Sequence, residues 1–170
     1  MIIIGNADAL IKEIKLQTSL VFEMKDTRGL HYCLGLEVWR DSGHTFLTQG
    51  KYVTGLLKKF RMEQCKTTSI PLQQNLKLCR DDGSKEVDAT LYRQLVGRLI
   101  YLTTTRPKLA YYVSVLIQFM SKPLECHWVA AKSVLRYIHG TSYYGILYTD
   151  TSDITLVGFS DSDWVGNLDE

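Results

Sequence analysis

Three consecutive stretches between residues 89 and 140 carry apolar side chains at helical spacing, and each stripe needs a surface to cover it. In residues 89–102, Leu91, Leu95, Val96, Leu99 and Leu102 are expected to face a core. Arg93, Gln94, Gly97, Arg98 and Tyr101 are expected to face outward. The second stretch opens near Pro107 and carries Leu109, Tyr112, Val113, Leu116 and Met120. Pro123 opens the third, with Leu124, Trp128, Ala131, Leu135 and Ile138 inward and Gly140 closing it as a C′ glycine. Each stripe is expected to face a core.

The remaining segments read differently. Residues 2–4, Ile-Ile-Ile, predict a short buried strand ended by Gly5-Asn6. Asn6 or Asp8 then caps a helix to about residue 22, with Leu10, Ile14 and Val21 on one side. Residues 31–49 predict a hairpin turning at residues 40–43, and Gly35 inside its first strand predicts a bulge or a close backbone approach. Residues 50–62 set Val53, Leu56, Leu57 and Phe60 against Lys51, Lys58, Lys59 and Arg61, a basic amphipathic helix. Residues 66–88 are a polar, turn-rich linker, tacked down by Leu72, Leu76 and Leu78. Residues 143–149 and 154–160 predict a terminal hairpin around residues 150–153. The fold class expected is α+β.

Composition narrows the function classes. The 170 residues are 45% hydrophobic and 22% charged, a globular mix that excludes collagen, coiled coil and wholesale disorder. No apolar run approaches the roughly 20 residues of a membrane span, and the first residues show no basic n-region, so an intracellular chain is expected, in cytoplasm or nucleus. Charge is unevenly placed. Residues 51–140 hold fifteen Lys/Arg against six acids, a net +9; residues 1–50 net −1 and residues 141–170 net −6. A basic middle suits a polyanion such as a nucleic-acid backbone, although solvated helix faces also carry such charge.

Cys33, Cys65, Cys79 and Cys126 have no zinc-finger spacing and are expected as reduced thiols, and the four histidines form no helix-borne zinc pair. No P-loop, dinucleotide fingerprint or nucleophile elbow occurs. Gly97 is the most informative single residue. A mid-helix glycine costs about 1 kcal/mol against alanine. Either a sugar-phosphate backbone comes close beside Arg93, Arg98 and Tyr101, or another helix packs there. Asp161 and Asp163, at positions i and i+2 of a strand end, share a face that can hold Mg²⁺ when further carboxylates join them; alone they read as a solvated acidic end.

The order of the pieces resembles the reverse transcriptase of copia-type LTR retrotransposon Pol polyproteins. The resemblance rests on Tyr32-Cys33-Leu34-Gly35-Leu36-Glu37-Val38, Phe46-Leu47-Thr48-Gln49-Gly50-Lys51-Tyr52, Leu91-Tyr92-Arg93-Gln94-Leu95-Val96-Gly97-Arg98-Leu99, Thr105-Arg106-Pro107, Leu135-Arg136-Tyr137-Ile138-His139-Gly140-Thr141 and Gly158-Phe159-Ser160-Asp161-Ser162-Asp163-Trp164, among others, in family order over nearly the whole chain.

The resemblance implies a role for each block. Residues 1–49 look like part of a palm, with a primer-grip-like hairpin carrying Gly35 and Glu37. Residues 50–122 look like a helical thumb that holds a duplex through Lys58, Lys59, Arg93, Gln94, Gly97, Arg98, Tyr101 and Arg106. Residues 123–157 look like a connection, and residues 158–170 like the start of RNase H, with Asp161 as its first metal ligand. Lys25 falls near a palm lysine that meets the incoming triphosphate. The family's Tyr-x-Asp-Asp motif belongs just before the strand at residues 2–4 and does not occur in the sequence.

The expectation is therefore a piece of an RNA-directed DNA polymerase, inactive alone, with Mg²⁺ as the family's cofactor and none bound tightly here. Its expected partner is an RNA–DNA or DNA duplex backbone, held weakly and without sequence preference. The alternative is a non-catalytic nucleic-acid-binding or self-associating relic with no selected function, its partner a parent polymerase or a second copy. No membrane partner is expected.

Overall fold

The computed structural model describes residues 3, 5–26, 29–74, 76–151, 155 and 157–158, which fall into two compact units, Met1–Leu30 and His31–Glu170. The first unit holds one helix, α1 (Asp8–Val21). Neither expected cap closes it: Ala7 stands at the N-cap without a side-chain bond, and Asp8 lies in the first turn, where its charge favours the helix dipole. None of its side chains is buried. Lys15 pairs with Asp26 at 3.0 Å in an exposed contact. The strand expected at residues 2–4 falls mostly outside the described residues.

Among the described residues the second unit mixes one antiparallel sheet with four helices. Its strands are β1 (Tyr32–Cys33), β2 (Leu36–Asp41), β3 (His44–Thr48) and β4 (Gly145–Thr149), paired in that order. Its helices are α2 (Gly50–Lys59), α3 (Ala89–Leu102), α4 (Ala110–Ile117), entered through a 3₁₀ turn at Pro107–Leu109, and α5 (Glu125–Gly140).

Two features of the sheet depart from expectation. Residues 31–39 are not one bulged strand. Leu34 and Gly35 take positive φ, 51° and 84°, and turn β1 back on β2 with Cys33 opposite Leu36. Positive φ at both central residues is the signature of a type I′ turn. The second is an addition the sequence did not foresee, the pairing of β4 with β3: Thr48 faces Gly145 and His44 faces Thr149. Residues 154–160, the partner expected for this strand, lie mostly outside the described residues. The β3 edge offers unpaired N–H and C=O groups, and a strand that covers them removes that liability. Gly145 permits the approach, because a Cβ there would overlap the Leu47 carbonyl oxygen and lie 3.0 Å from Phe46 Cζ.

The core lies between α2, α3, α4 and α5. Val53, Leu56, Leu95, Val96, Leu99, Leu102, Leu116, Val134, Leu135 and Ile138 are all but inaccessible. Each such side chain contributes about 1.5–3 kcal/mol by leaving water. Three positions differ in detail. Tyr92 rather than Leu91 enters the core, because its hydroxyl donates to the Leu116 carbonyl at 2.9 Å and so is not buried unpaired. Trp128 is only half-buried, set edge-on to Phe60. Gly140 is the last helical residue of α5 rather than a left-handed C′ residue. Its missing side chain makes room for Thr67, whose Cβ would stand 3.2 Å from a Cβ at this position.

The linker returns along α5. Leu72 and Leu78 are buried as expected, while Leu76 is 44% exposed. Val87 N–H donates to the Pro123 carbonyl and Glu125 N–H to that of Lys85. His127 is a core histidine: it is stacked on Phe119 at 3.8 Å, accepts from Leu124 N–H and faces the Cys79 carbonyl. The four cysteines are unpaired. Among the described residues no helix is long and apolar enough to cross a membrane.

Candidate nucleic-acid interface

The outward face of α3 begins with its cap. Asp88 accepts from Thr90 and Leu91 N–H at 2.7 and 3.1 Å, a cap of about 1 kcal/mol that fixes the helix start. With Tyr92, Leu95, Val96, Leu99 and Leu102 buried, helix geometry turns Arg93, Gln94, Gly97, Arg98 and Tyr101 to the other side. Arg93, Gln94 and Gly97 are exposed, and Arg98 and Tyr101 are half-buried. A Cβ on Gly97 would meet no atom of the described residues within 4 Å. Among the described residues, then, no helix packs on Gly97, and the cost of this glycine has no internal compensation.

Tyr101 marks one end of this face and is braced. It packs edge-on against Tyr52 of α2, with ring centroids 5.1 Å apart. Its hydroxyl donates to the Leu34 carbonyl at the tip of the β1–β2 hairpin. Gly35 serves the positive φ of the turn, and a Cβ there would lie in ordinary contact with Tyr52 at 3.5 Å and Tyr101 at 3.6 Å. The Tyr52 hydroxyl donates to the Arg98 carbonyl at 3.2 Å. Burial pushes the Tyr52 hydroxyl pKa up, and the Arg98 guanidinium beside it opposes the rise. The hairpin tip, α2 and α3 therefore meet at one place. Tyr52 was missed from sequence, because its ring meets Tyr101 only once α2 and α3 are folded together.

Glu37 has a different part. Its carboxylate is mostly buried, accepts from Lys51 N–H at 3.0 Å and pairs with Lys51 Nζ at 3.6 Å. It stands at the start of α2, where a negative charge complements the dipole. Gly50 allows this, since a Cβ there would be 3.2 Å from Glu37 Oε2. Lys58 and Lys59 are exposed in the last turn of α2. Among the described residues no carboxylate lies within 4.0 Å of Lys58, Lys59, Arg93 or Arg98.

Arg106, expected beside these cations, is not on the surface: it is 6% exposed. It donates to Thr141 Oγ1 at 3.1 Å and to the Ser142 carbonyl at 2.7 Å, tying the end of α3 to the chain that leads into β4. Next to it, buried Thr105 donates to the Gln49 side-chain oxygen at 2.7 Å. Burial lowers the Arg106 pKa to about 10. Its charge is spent inside the fold. Arg106→Ala is expected to destabilise the chain by about 3 kcal/mol, read from urea unfolding, by stranding the Ser142 carbonyl.

Lys25 is exposed in the first unit. Asp161 and Asp163 lie outside the described residues. Among the described residues no three His, Cys, Asp or Glu side chains gather as metal ligands.

Comparison with known proteins agrees with the resemblance. The family described as reverse transcriptase (RNA-dependent DNA polymerase) matches residues 1–74. The Retrovirus-related Pol polyproteins from transposons RE2 and RE1 of Arabidopsis thaliana are each 38% identical over all 170 residues. An uncharacterized mitochondrial protein of Arabidopsis thaliana is 34% identical over 166 residues, 98% of this chain and 69% of that protein. The chain belongs to the copia-type Pol polyprotein family, in its reverse transcriptase region. It spans 12% of the length of the RE1 and RE2 polyproteins. No solved structure matches it. The family match over residues 1–74 takes in the β1–β3 hairpins and α2, while α3 and its open glycine lie in the part shared with the polyproteins.

Proposed function

We propose that this chain supplies the duplex-holding part of reverse transcription: α3 lies along the backbone of a primer-template, with Gly97 as the point of closest approach. The observation that carries the reading is the empty space over Gly97, a mid-helix glycine flanked one turn away on either side by Arg93 and Tyr101, with Arg98 adjacent. A glycine gives up about 1 kcal/mol of helix stability, and a close external backbone is what returns it. Arg93 and Arg98 supply charge for phosphates, and such contacts position a duplex without reading its sequence. In this reading the β1–β2 hairpin is the primer-grip-like element, and Tyr52 and Tyr101 fix it to the thumb-like helix. The role assigned to these 170 residues is holding, not nucleotide transfer; RNA-directed DNA synthesis belongs to the family's larger polyprotein.

Gly97→Ala separates holding from folding. The variant is expected to be about 1 kcal/mol more stable in urea, because nothing described contacts a Cβ there. Its affinity for a labelled RNA–DNA hybrid is expected to fall. A more stable variant with undiminished affinity overturns the reading.

A further inference from the structure

The two edges of the sheet differ. β1 is two residues long, too short to template another strand. β4 is five residues long and lies in a run, residues 141–149, that holds no charge and no proline. Its pairing with β3 runs without a bulge. Lysine, proline and bulges are the usual means of blunting an edge, and β4 has none of them.

In covering β3, β4 carries the unpaired backbone groups one strand outward. The Asp150 N–H donates to the Gly43 carbonyl at 2.7 Å. Bonding alternates along an antiparallel pair, so Ile146 and Tyr148 bond to β3, while Gly145, Leu147 and Thr149 direct N–H and C=O away from it. Among the described residues no strand covers that edge. Thr155, Val157 and Gly158, the described residues of the strand expected there, are exposed and belong to no strand. The side chains add an apolar row. Trp39, Phe46 and Leu147 stand opposite one another on β2, β3 and β4, on one face of the sheet. Trp39 and Leu147 are more than half exposed.

We infer that β4 pairs antiparallel with β4 of a second copy of this chain, about a two-fold axis beside Leu147. This holds whether or not α3 holds a duplex. The register is self-complementary, as a two-fold interface requires. Leu147 stands opposite Leu147 of the second copy, and Gly145 opposite Thr149 of the second copy. These are the residues with outward bonds, so each outward N–H and C=O of β4 gains a partner. On one face the row of Trp39, Phe46 and Leu147 continues into its own image. On the other, Ile146 meets Tyr148 of the second copy, a favourable β-branched and aromatic pair. No charge meets its like, since Asp150, the first charged residue beyond β4, falls opposite Tyr144 of the second copy. This uncharged fit and the continued row select a second copy, because an acidic or basic partner would find no charge on the strand to pair with.

The test is sedimentation equilibrium of the full chain from about 1 to about 500 µM, the range of a small, transient interface. The weight-average mass is expected to rise from 19.4 kDa toward twice that value. Leu147→Lys sets like charges opposite each other and is expected to weaken association at least about tenfold, as is Leu147→Glu, while an equal mixture of the two variants associates again. Because Leu147 is more than half exposed, both variants are expected to fold, with the Ile146 and Tyr148 amides still protected from hydrogen exchange by β3. In the parent chain, protection of the Leu147 and Thr149 amides is expected to rise with concentration. A parent chain of constant single mass, a Leu147→Lys variant that associates like its parent, or a mixture of folded variants that stays monomeric would overturn the self-pairing. Leu147 and Thr149 amides protected equally at every concentration would overturn it too, and would assign the edge to a segment of the same chain.

Discussion

Reversing two charges on α3, Arg93→Glu with Arg98→Glu, is expected to lower affinity for an RNA–DNA hybrid on the order of 100-fold at low salt. With two fewer phosphates neutralised the salt slope falls by about 2, and the new carboxylates repel the same phosphates. Folding is expected to change little. Arg93 is exposed, and its one described bond is a 3.3 Å contact to the Met120 carbonyl. Arg98 meets the tyrosine brace through its main-chain carbonyl, which any residue supplies, and through its guanidinium beside the Tyr52 hydroxyl, so a parallel urea unfolding curve separates lost folding from lost binding. Arg93→Lys with Arg98→Lys keeps the charge and should retain most of the affinity. Equal affinity for the reversed and parent chains, measured by fluorescence anisotropy, would sink the assignment of α3.

The second large effect lies at the sheet. Gly145→Ala is expected to destabilise the chain by about 3 kcal/mol or more, because the new methyl group is driven into backbone rather than into a flexible side chain. The register Thr48↔Gly145 cannot hold, and the rest of the β3–β4 ladder follows. Thr48 Oγ1 donates to the Tyr144 carbonyl at 3.1 Å, so the displacement also strains that bond. A fall in thermal midpoint of about 6–12 °C is the expected reading. The contrast with Gly97→Ala is informative: the same substitution is expected to stabilise one helix face and break one strand pair. A Gly145→Ala chain as stable as its parent would mean that β4 does not pair with β3.

These glycines show what could be read from the sequence. Periodicity located α3 to the residue, because five apolar positions at 3.6-residue spacing leave one face for Arg93, Gly97 and Arg98. It could not choose between a packed and an open Gly97, since that depends on what lies in front of the helix. It missed that Tyr92 enters the core, because the carbonyl that satisfies its hydroxyl belongs to Leu116 on another helix. The β4 partner was illegible for the same reason: strand alternation says that a segment pairs, not with what. Arg106 carries the right charge for a phosphate, yet its donors turn inward to Thr141 and Ser142, which only the fold brings near.

The most direct test of the duplex-holding account is binding of a labelled RNA–DNA hybrid by the full chain at about 50 and 200 mM salt, beside a single strand of equal length. The account predicts binding that prefers the hybrid and weakens steeply with salt. No binding at the lower salt, or equal binding of hybrid and single strand, would contradict it.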